Sequence, residues 1–418
     1  MAYYGFAFKN RFCNHTFRSI QPGLKWSNSM RDQSIIESGI EFRQALHQHP
    51  ELSGQEAQTS RRVIDFLAAF DADEVLENVG GFGLVVTYAF GEGPEIAIRC
   101  ELDALPIGEV NQFSYASVTA GVSHKCGHDG HTAIVAGLAA WLSTRPLAGG
   151  KVRLLFQAAE ENSQGAKAML ADAKLAGFSP DYIFALHNLP GYPLHEILVV
   201  RHQFSATVLS LAIHFNGVMA HAAQPETGRN PSLAISEAMI AIQQLVNPDP
   251  ADRSFTLVTP VYTRIGAPDY GISAAEGEVH LTLRTWTEAG MRTLLDTITG
   301  IVSRLCKQYE LSYFTEQFDY FPAVVNDEHC NEVIIAAARR LGYRVTELSS
   351  PMRFGEDFGF FTQQGKGAMF GLGAGLLAPP LHSRDYDFPD ALLETGIAVF
   401  RSIISDLLGS AARVDQAG

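Results

Sequence analysis

At 418 residues the chain is too long for one ordinary hydrophobic core, so two domains are expected. Hydrophobic residues at 46% and charged residues at 18% describe a well-buried globule, and no apolar run approaches the ~18 residues of a membrane span. A net charge of -14 argues against nucleic acid or an anionic membrane as partner. Cys13, Cys100, Cys126, Cys306 and Cys330 form no CxxC pair and no disulfide framework, which points to a reducing, cytoplasmic setting.

Residues 1–29 carry basic but no acidic side chains and lack the apolar core of a secretory signal, so an unstructured extension is expected, with Met30 as an alternative start. From about Gln33 to Phe70 the apolar spacing is helical, interrupted at His47-Gln48-His49-Pro50-Glu51-Leu52-Ser53, where proline forces a turn. Taken alone, that turn is a helix end without chemistry. Gly80-Gly81 breaks the chain, and Gly83–Phe90 and Glu95–Arg99 read as paired strands. The second strand runs into Cys100-Glu101-Leu102-Asp103-Ala104-Leu105-Pro106. It sets two carboxylates at a strand's carboxyl end, where open α/β sheets place ligands and where turn acids also cap amides.

The densest chemistry lies in His124-Lys125-Cys126-Gly127-His128-Asp129-Gly130-His131, where every residue but the glycines can bind a metal or handle a proton. Thiolate, imidazole and carboxylate together suit zinc, with manganese or cobalt as substitutes. A buried helix follows over Thr132–Ser143, then a strand over Lys151–Phe156, the segment Gln157-Ala158-Ala159-Glu160-Glu161, a helix over Gly165–Leu175, and a strand over Tyr182–Leu186 that ends in His187. Alternating strands and helices predict a helix-covered α/β sheet, with Cys126, His128, Glu160, Glu161 and His187 able to meet on one rim.

Near Ser205 the pattern becomes half-buried. Alternating strands and two amphipathic helices over residues 204–316 give a βαββαβ order, that of an inserted ferredoxin-like α+β domain. The first domain is thus expected to comprise residues 30–203 and 317–418, a mixed sheet under helices. Its second part holds a helix at Asn331–Leu341, Glu356-Asp357, a glycine- and proline-rich approach over Gly371–Pro380 to Leu381-His382-Ser383, and a helix over Ala391–Leu408.

Together these residues suit amide hydrolysis, in which a metal polarises the carbonyl and acidifies a bound water while a carboxylate moves the proton. Glu160 and Glu161 diverge at a strand end, so one can ligate while the other serves as base. Five ligands shared by two ions, Cys126, His128, Glu161, His187 and His382, leave room for water and substrate. His221, in Met219-Ala220-His221-Ala222-Ala223-Gln224-Pro225, is either an oxyanion donor or a surface histidine on a loop.

The segments HQHPELS (His47–Ser53), LDALPI (Leu102–Ile107), CGHDGHT (Cys126–Thr132), QAAEE (Gln157–Glu161), HAAQP (His221–Pro225), EDF (Glu356–Phe358) and His382-Ser383 occur in order. In that combination the chain resembles the dinuclear-metal amidohydrolases related to aminoacylases, hippurate hydrolases and plant auxin-conjugate hydrolases. The resemblance implies that Cys126, His128, Glu161, His187 and His382 bind two divalent ions and that Glu160 is the general base. It implies that His221 reaches a site from the lid, in relatives that of the partner subunit of a homodimer. His124, Asp129 and His131 would orient ligands. Its usual substrates are N-acyl amino acids and similar small amides. Three departures stand out: Glu101 where the family has aspartate, Gly271-Ile272-Ser273-Ala274 in place of an Asn-Val-Ile-Pro element, and Arg384 where proline is common. Three alternatives compete with this reading: a metallo-dipeptidase or aminopeptidase on the same scaffold, a hydrolase using Cys126 as nucleophile with His128 as its base, and a non-catalytic binding homologue.

Overall fold

The computed structural model describes residues 28–410, with side chains from Gln33 onward; the expected extension, up to residue 27, lies outside the described residues. In chain order come helices α1 (Asn28–Gln48) and α2 (Ala57–Leu67), strands β1 (Glu74–Val79), β2 (Gly83–Ala89) and β3 (Glu95–Glu101), then α3 (His128–Leu142), β4 (Lys151–Gln157), α4 (Gly165–Ala171), β5 (Tyr182–Leu189) and β6 (Ile197–Val199). A second group follows: β7 (Thr207–Asn216), β8 (Ala220–His221), α5 (Ser232–Gln243), β9 (Thr256–Ile265), β10 (Ile272–Ser273), β11 (Glu276–Thr285), α6 (Glu288–Gln308) and β12 (Ser312–Phe321). The chain then completes the first group with α7 (Glu328–Arg340), β13 (Val345–Glu347), α8 (Gly359–Thr362), β14 (Gly367–Gly373) and α9 (Leu392–Leu408).

The large sheet has eight strands in the order β1-β2-β4-β3-β5-β14-β6-β13. Its centre, β4, β3, β5 and β14, is parallel, and β1 and β2 run antiparallel at one edge. The central strands are buried almost throughout, so their sequences are continuous apolar runs, and the period of two sorts them between the faces. Ile96, Ile98, Leu154, Phe156, Phe184 and Leu186 pack in one core with α1, α2, α3, α7 and α9. Ala97, Leu155, Ile183 and Ala185 face the other core, beneath α4 and α8.

β2 and β3, expected to pair, are separated by β4. The link between them crosses the width of one strand: Gly91 and Gly93 take positive φ values of 109° and 144°, and Phe90 N and Lys151 N bond to Gly150 O and Pro94 O. β5 continues through His187 to Leu189, so that histidine projects from inside a strand. The start of the glycine-rich stretch before His382 is β14, in the middle of the sheet, where bare glycines admit neighbouring chains; a Cβ at Gly371 would lie 2.3 Å from Leu189.

The second group folds on its own core. A four-stranded antiparallel sheet, β12-β7-β11-β9, covers one face with α5 and α6, and β11 alternates buried and half-buried positions. This is the ferredoxin-like arrangement inserted in the α/β fold. The insert was expected to end at residue 316, whereas its last strand runs to Phe321. Thr287 caps α6 by accepting from Gly290 N at 3.0 Å.

The loop between β4 and α4 is folded back tightly, with Ala159 and Ser163 at positive φ and Gly165 N bonded to Ala159 O. A Cβ at Gly165 would fall 1.7 Å from Ala158 O, whereas one at exposed Gly300 in α6 would meet nothing within 4 Å. Gly165→Ala is therefore expected to destabilise by about 1–3 kcal/mol, and Gly300→Ala to stabilise by up to about 1 kcal/mol. Thermal unfolding checks both; equal melting of the Gly165 variant and the parent contradicts the tight seat.

Candidate metal centre

Because β3, β4, β5 and β14 are parallel, their carboxyl ends share one rim. β3 ends at Glu101 and leads to Asp103, β4 leads to Glu160 and Glu161, β5 carries His187, and the chain leaving β14 reaches His382. Cys126 and His128 arrive at the start of α3, on either side of Gly127, whose φ of 95° is left-handed. A Cβ there would lie 2.6 Å from the Asn188 amide oxygen, so both conformation and space require glycine.

These side chains converge. Cys126 Sγ lies 3.5 Å from His187 Nε2, His128 Nε2 lies 3.9 Å from both Glu160 and Glu161 carboxylate oxygens, and His382 Nε2 lies 3.7 Å from Glu161 Oε1. Two sets of donor atoms, Cys126 with His128 and His187, and Cys126 with Glu161 and His382, each fall within 4.8 Å of one another. Ligands bound at about 2.0–2.3 Å around one ion stand roughly 3–4 Å apart, so the sets are close to a binding arrangement. They share the cysteine.

The outer contacts fix which atoms face inward. His128 Nδ1 is 2.9 Å from Asp103 O and 3.2 Å from its carboxylate, leaving Nε2 toward the cluster. His187 Nδ1 bonds to Asn188 O at 2.9 Å, leaving its Nε2 toward Cys126. Asp103 also accepts from Glu161 N at 2.9 Å and from Ser53 Oγ at 2.7 Å, and His382 N donates to Lys125 O at 2.7 Å. Buried His128 Nε2 and Glu161 Oε1 have no hydrogen-bond partner among the described residues. An ion with nitrogen and oxygen ligands satisfies both.

Electrostatics point the same way. Burial, and then mutual repulsion with neighbouring acids, pushes the carboxyls of Glu160 and Asp357 upward; burial likewise raises Glu161 and Glu356. Burial and the same glutamates push up the Cys126 thiol. Arg99 is the buried cation set against them, paired with Glu101, with Glu356 at 3.0 Å and with Asp357 at 2.6 Å. The donors thus fit divalent cations both by type and by charge.

The fold brings together Cys126, His128, Glu160, Glu161, His187 and His382, but not His221. That residue is exposed on β8, its Nδ1 accepting from Ala223 N at 3.0 Å, and no hydrogen bond or ion pair joins it to the cluster among the described residues. His131 bonds Glu101 at 2.7 Å and also Asn188, Asp129 pairs with His47 at 2.8 Å, and both ring nitrogens of His124 lack partners among the described residues. Burial lowers His124 to a pKa of about 4. Asp103, expected either near ligands or as a cap for an amide, does accept from the Glu161 amide, and Arg99 is the residue that pattern reading left without a role. Arg99 had a signal, a charge inside the apolar run Ile96–Cys100, because a buried charge requires partners.

Residues 97–406 match peptidase family M20/M25/M40. The chain is 30% identical over 338 residues to an N-acetylcysteine deacetylase of Bacillus subtilis, covering 80% of this chain and 88% of that protein. It is 30% identical over 338 residues to an N-acetyldiaminopimelate deacetylase of Shouchella clausii, covering 80% and 89%. Among solved structures, it superposes on a dinuclear metal binding peptidase of the M20 family from Bacillus subtilis with a TM-score of 0.78 and 27% identity, covering 90% of this chain and 99% of that one.

Asp103→Ala removes the carboxylate beside His128 Nδ1 and the acceptor of Glu161 N. It is expected to weaken metal retention about 10–100-fold in a chelator competition; parent-like retention contradicts an orienting role for this carboxylate.

Proposed function

The chain belongs to peptidase family M20/M25/M40 and is a metal-dependent hydrolase of carbon–nitrogen amide bonds, and we propose that it cleaves N-acyl amino acids or small amides of like shape. The observation that carries the proposal is the pair of donor sets meeting at Cys126 beside Glu160. Cys126, His128 and His187 would hold one divalent ion, and Cys126, Glu161 and His382 the other, with zinc first and manganese or cobalt as substitutes. When bound, such ions polarise the amide carbonyl and acidify a water.

Glu160 handles the proton in this reading. Its Oε1 lies 3.4 Å from the Asp357 N that donates to it, while Oε2 lies 3.9 Å from His128 Nε2. One oxygen is anchored and the other faces the donor atoms, so the carboxylate can take a proton from water and deliver it to the leaving nitrogen. His221 supplies the oxyanion donor in this reading. Its Nδ1 accepts from Ala223 N, which leaves Nε2 as the protonated nitrogen. Because His221 stands exposed and apart from its own cluster, it would serve the partner subunit of a homodimer.

The relatives named deacetylases of N-acetylcysteine and N-acetyldiaminopimelate support an acyl amino acid as substrate. The Gly271–Ala274 departure bears on which one. Ile272 pairs directly with His221, and Ser273 Oγ accepts from Asn230 Nδ2 at 3.1 Å, so the altered element borders the lid histidine. The peptidase name of the structural relative supports a dipeptidase as the second reading. A cysteine nucleophile is disfavoured because Cys126 sits among carboxylates, where reactive thiols need positive surroundings. A non-catalytic homologue is disfavoured because every position of the cluster is filled. Cys100, Cys126, Cys306 and Cys330 are free and buried, which supports a reducing, cytoplasmic compartment, and no described helix is long and apolar enough to cross a membrane.

Glu160→Gln is expected to lower kcat about 10²–10⁴-fold on a panel of acetyl, benzoyl and indoleacetyl amino acids while metal content stays at the parent level. Undiminished turnover in the metal-loaded variant contradicts the assignment of the base, and faster turnover of free dipeptides than of the whole acyl panel favours the second reading.

A further inference from the structure

The turn at the end of α1, without chemistry when taken alone, is where three segments of the metal centre are tied together. Arg43 and His47 stand one turn apart on α1, both fully buried. His47 Nδ1 lies 2.8 Å from Asp129 Oδ2 and its Nε2 lies 3.0 Å from Glu109 Oε1. Arg43 contacts Asp129 at 3.3 Å, Asp387 at 2.7 Å and Asp390 at 2.8 Å. Lys125 Nζ pairs with the same Glu109 and donates to Tyr386 O at 2.8 Å.

The order of these residues along the chain gives the contacts their meaning. Cys126 and His128 lie between Lys125, held through Glu109, and Asp129, held directly, so the segment that carries them is gripped on both sides. Asp387 and Asp390 follow His382 and are gripped by Arg43, on the same helix face. We propose that His47 is a positioning residue of the metal centre: bridging Glu109 and Asp129, it sets Cys126 and His128 in register with the loop that carries His382. The proposal rests on the reading of those three residues as ligands.

An imidazole suits this bridge better than an amide or an alkyl chain. Protonated, it donates from both ring nitrogens to carboxylates on opposite sides. Burial lowers its pKa, yet the hydrogen bonds it donates to Asp129 and Glu109 outweigh that and raise it to about 9. Phe113 and Tyr115 meet the ring edge-on, with centroids at 5.6 and 5.7 Å, and hold its plane.

The test titrates cobalt(II) alone into metal-free parent, His47→Gln, Glu109→Gln and His128→Ala proteins, reading affinity, the visible absorption of the bound ion, and thermal unfolding. A folded His47→Gln protein is expected to bind about 10–100-fold more weakly with shifted absorption bands. Parent-like affinity and bands, with only a lowered melting temperature, would show a merely structural role and overturn the proposal. Should His47→Gln not fold, Glu109→Gln, which removes one anchor's charge, is expected to weaken binding about tenfold, and parent affinity in it overturns the proposal equally. Undiminished binding by His128→Ala would instead remove the ligand reading beneath it, whereas loss in His128→Ala with none in His47→Gln defeats the positioning role alone.

Discussion

An excess of buried negative charge at the carboxyl rim of four parallel strands governs this structure. Glu101, Asp103, Glu160, Glu356 and Asp357 are buried there, with Glu161 beside them. Burying one unpaired carboxylate costs several kcal/mol, and crowding several together costs more. Arg99 answers part of that demand from within β3, and His131 part through Glu101. Divalent ions between Cys126, His128, Glu161, His187 and His382 would answer the rest, so the stability of the rim and the chemistry of the site become one electrostatic problem.

Much of this was legible in the sequence because it rests on local pattern. The period-two alternation of β7 and β11 and the helical spacing of α5 and α6 foretold the inserted sheet and its two helices, and the apolar runs at β4 and β5 foretold buried strands of a helix-covered sheet. Cys126, His128 and the paired glutamates were conspicuous by residue type. The hidden features depend on what packs against what. Nothing local says that β4 separates β2 from β3, since that order is settled by a later strand. The end of β14 read only as part of a glycine-rich approach to His382, because Gly371 lies bare to admit Leu189 and Leu198. His47 reads as a helix end until Asp129 and Glu109, distant in sequence, close around it.

The two halves of the site differ in how firmly they are held. Behind Cys126 and His128, α1 is joined to α3 by the buried pairs of Arg43 and His47 with Asp129, and to the loop after His382 by the pairs of Arg43 with Asp387 and Asp390. His382 itself is half exposed, and His221 stands in solvent. In the proposed reading substrate would enter from that open side. That side also holds Arg384, close after His382, and Ile272, which pairs with His221. In the proposed reading the chemistry belongs to the buried half, and selectivity to the open one.

The central claim is that one cysteine joins two cation positions. Anomalous diffraction from crystals of the zinc-loaded protein tests it most directly. Two peaks, each within about 2.3 Å of Cys126 Sγ, are the predicted result; a single peak, or two that both avoid that sulfur, would contradict the account.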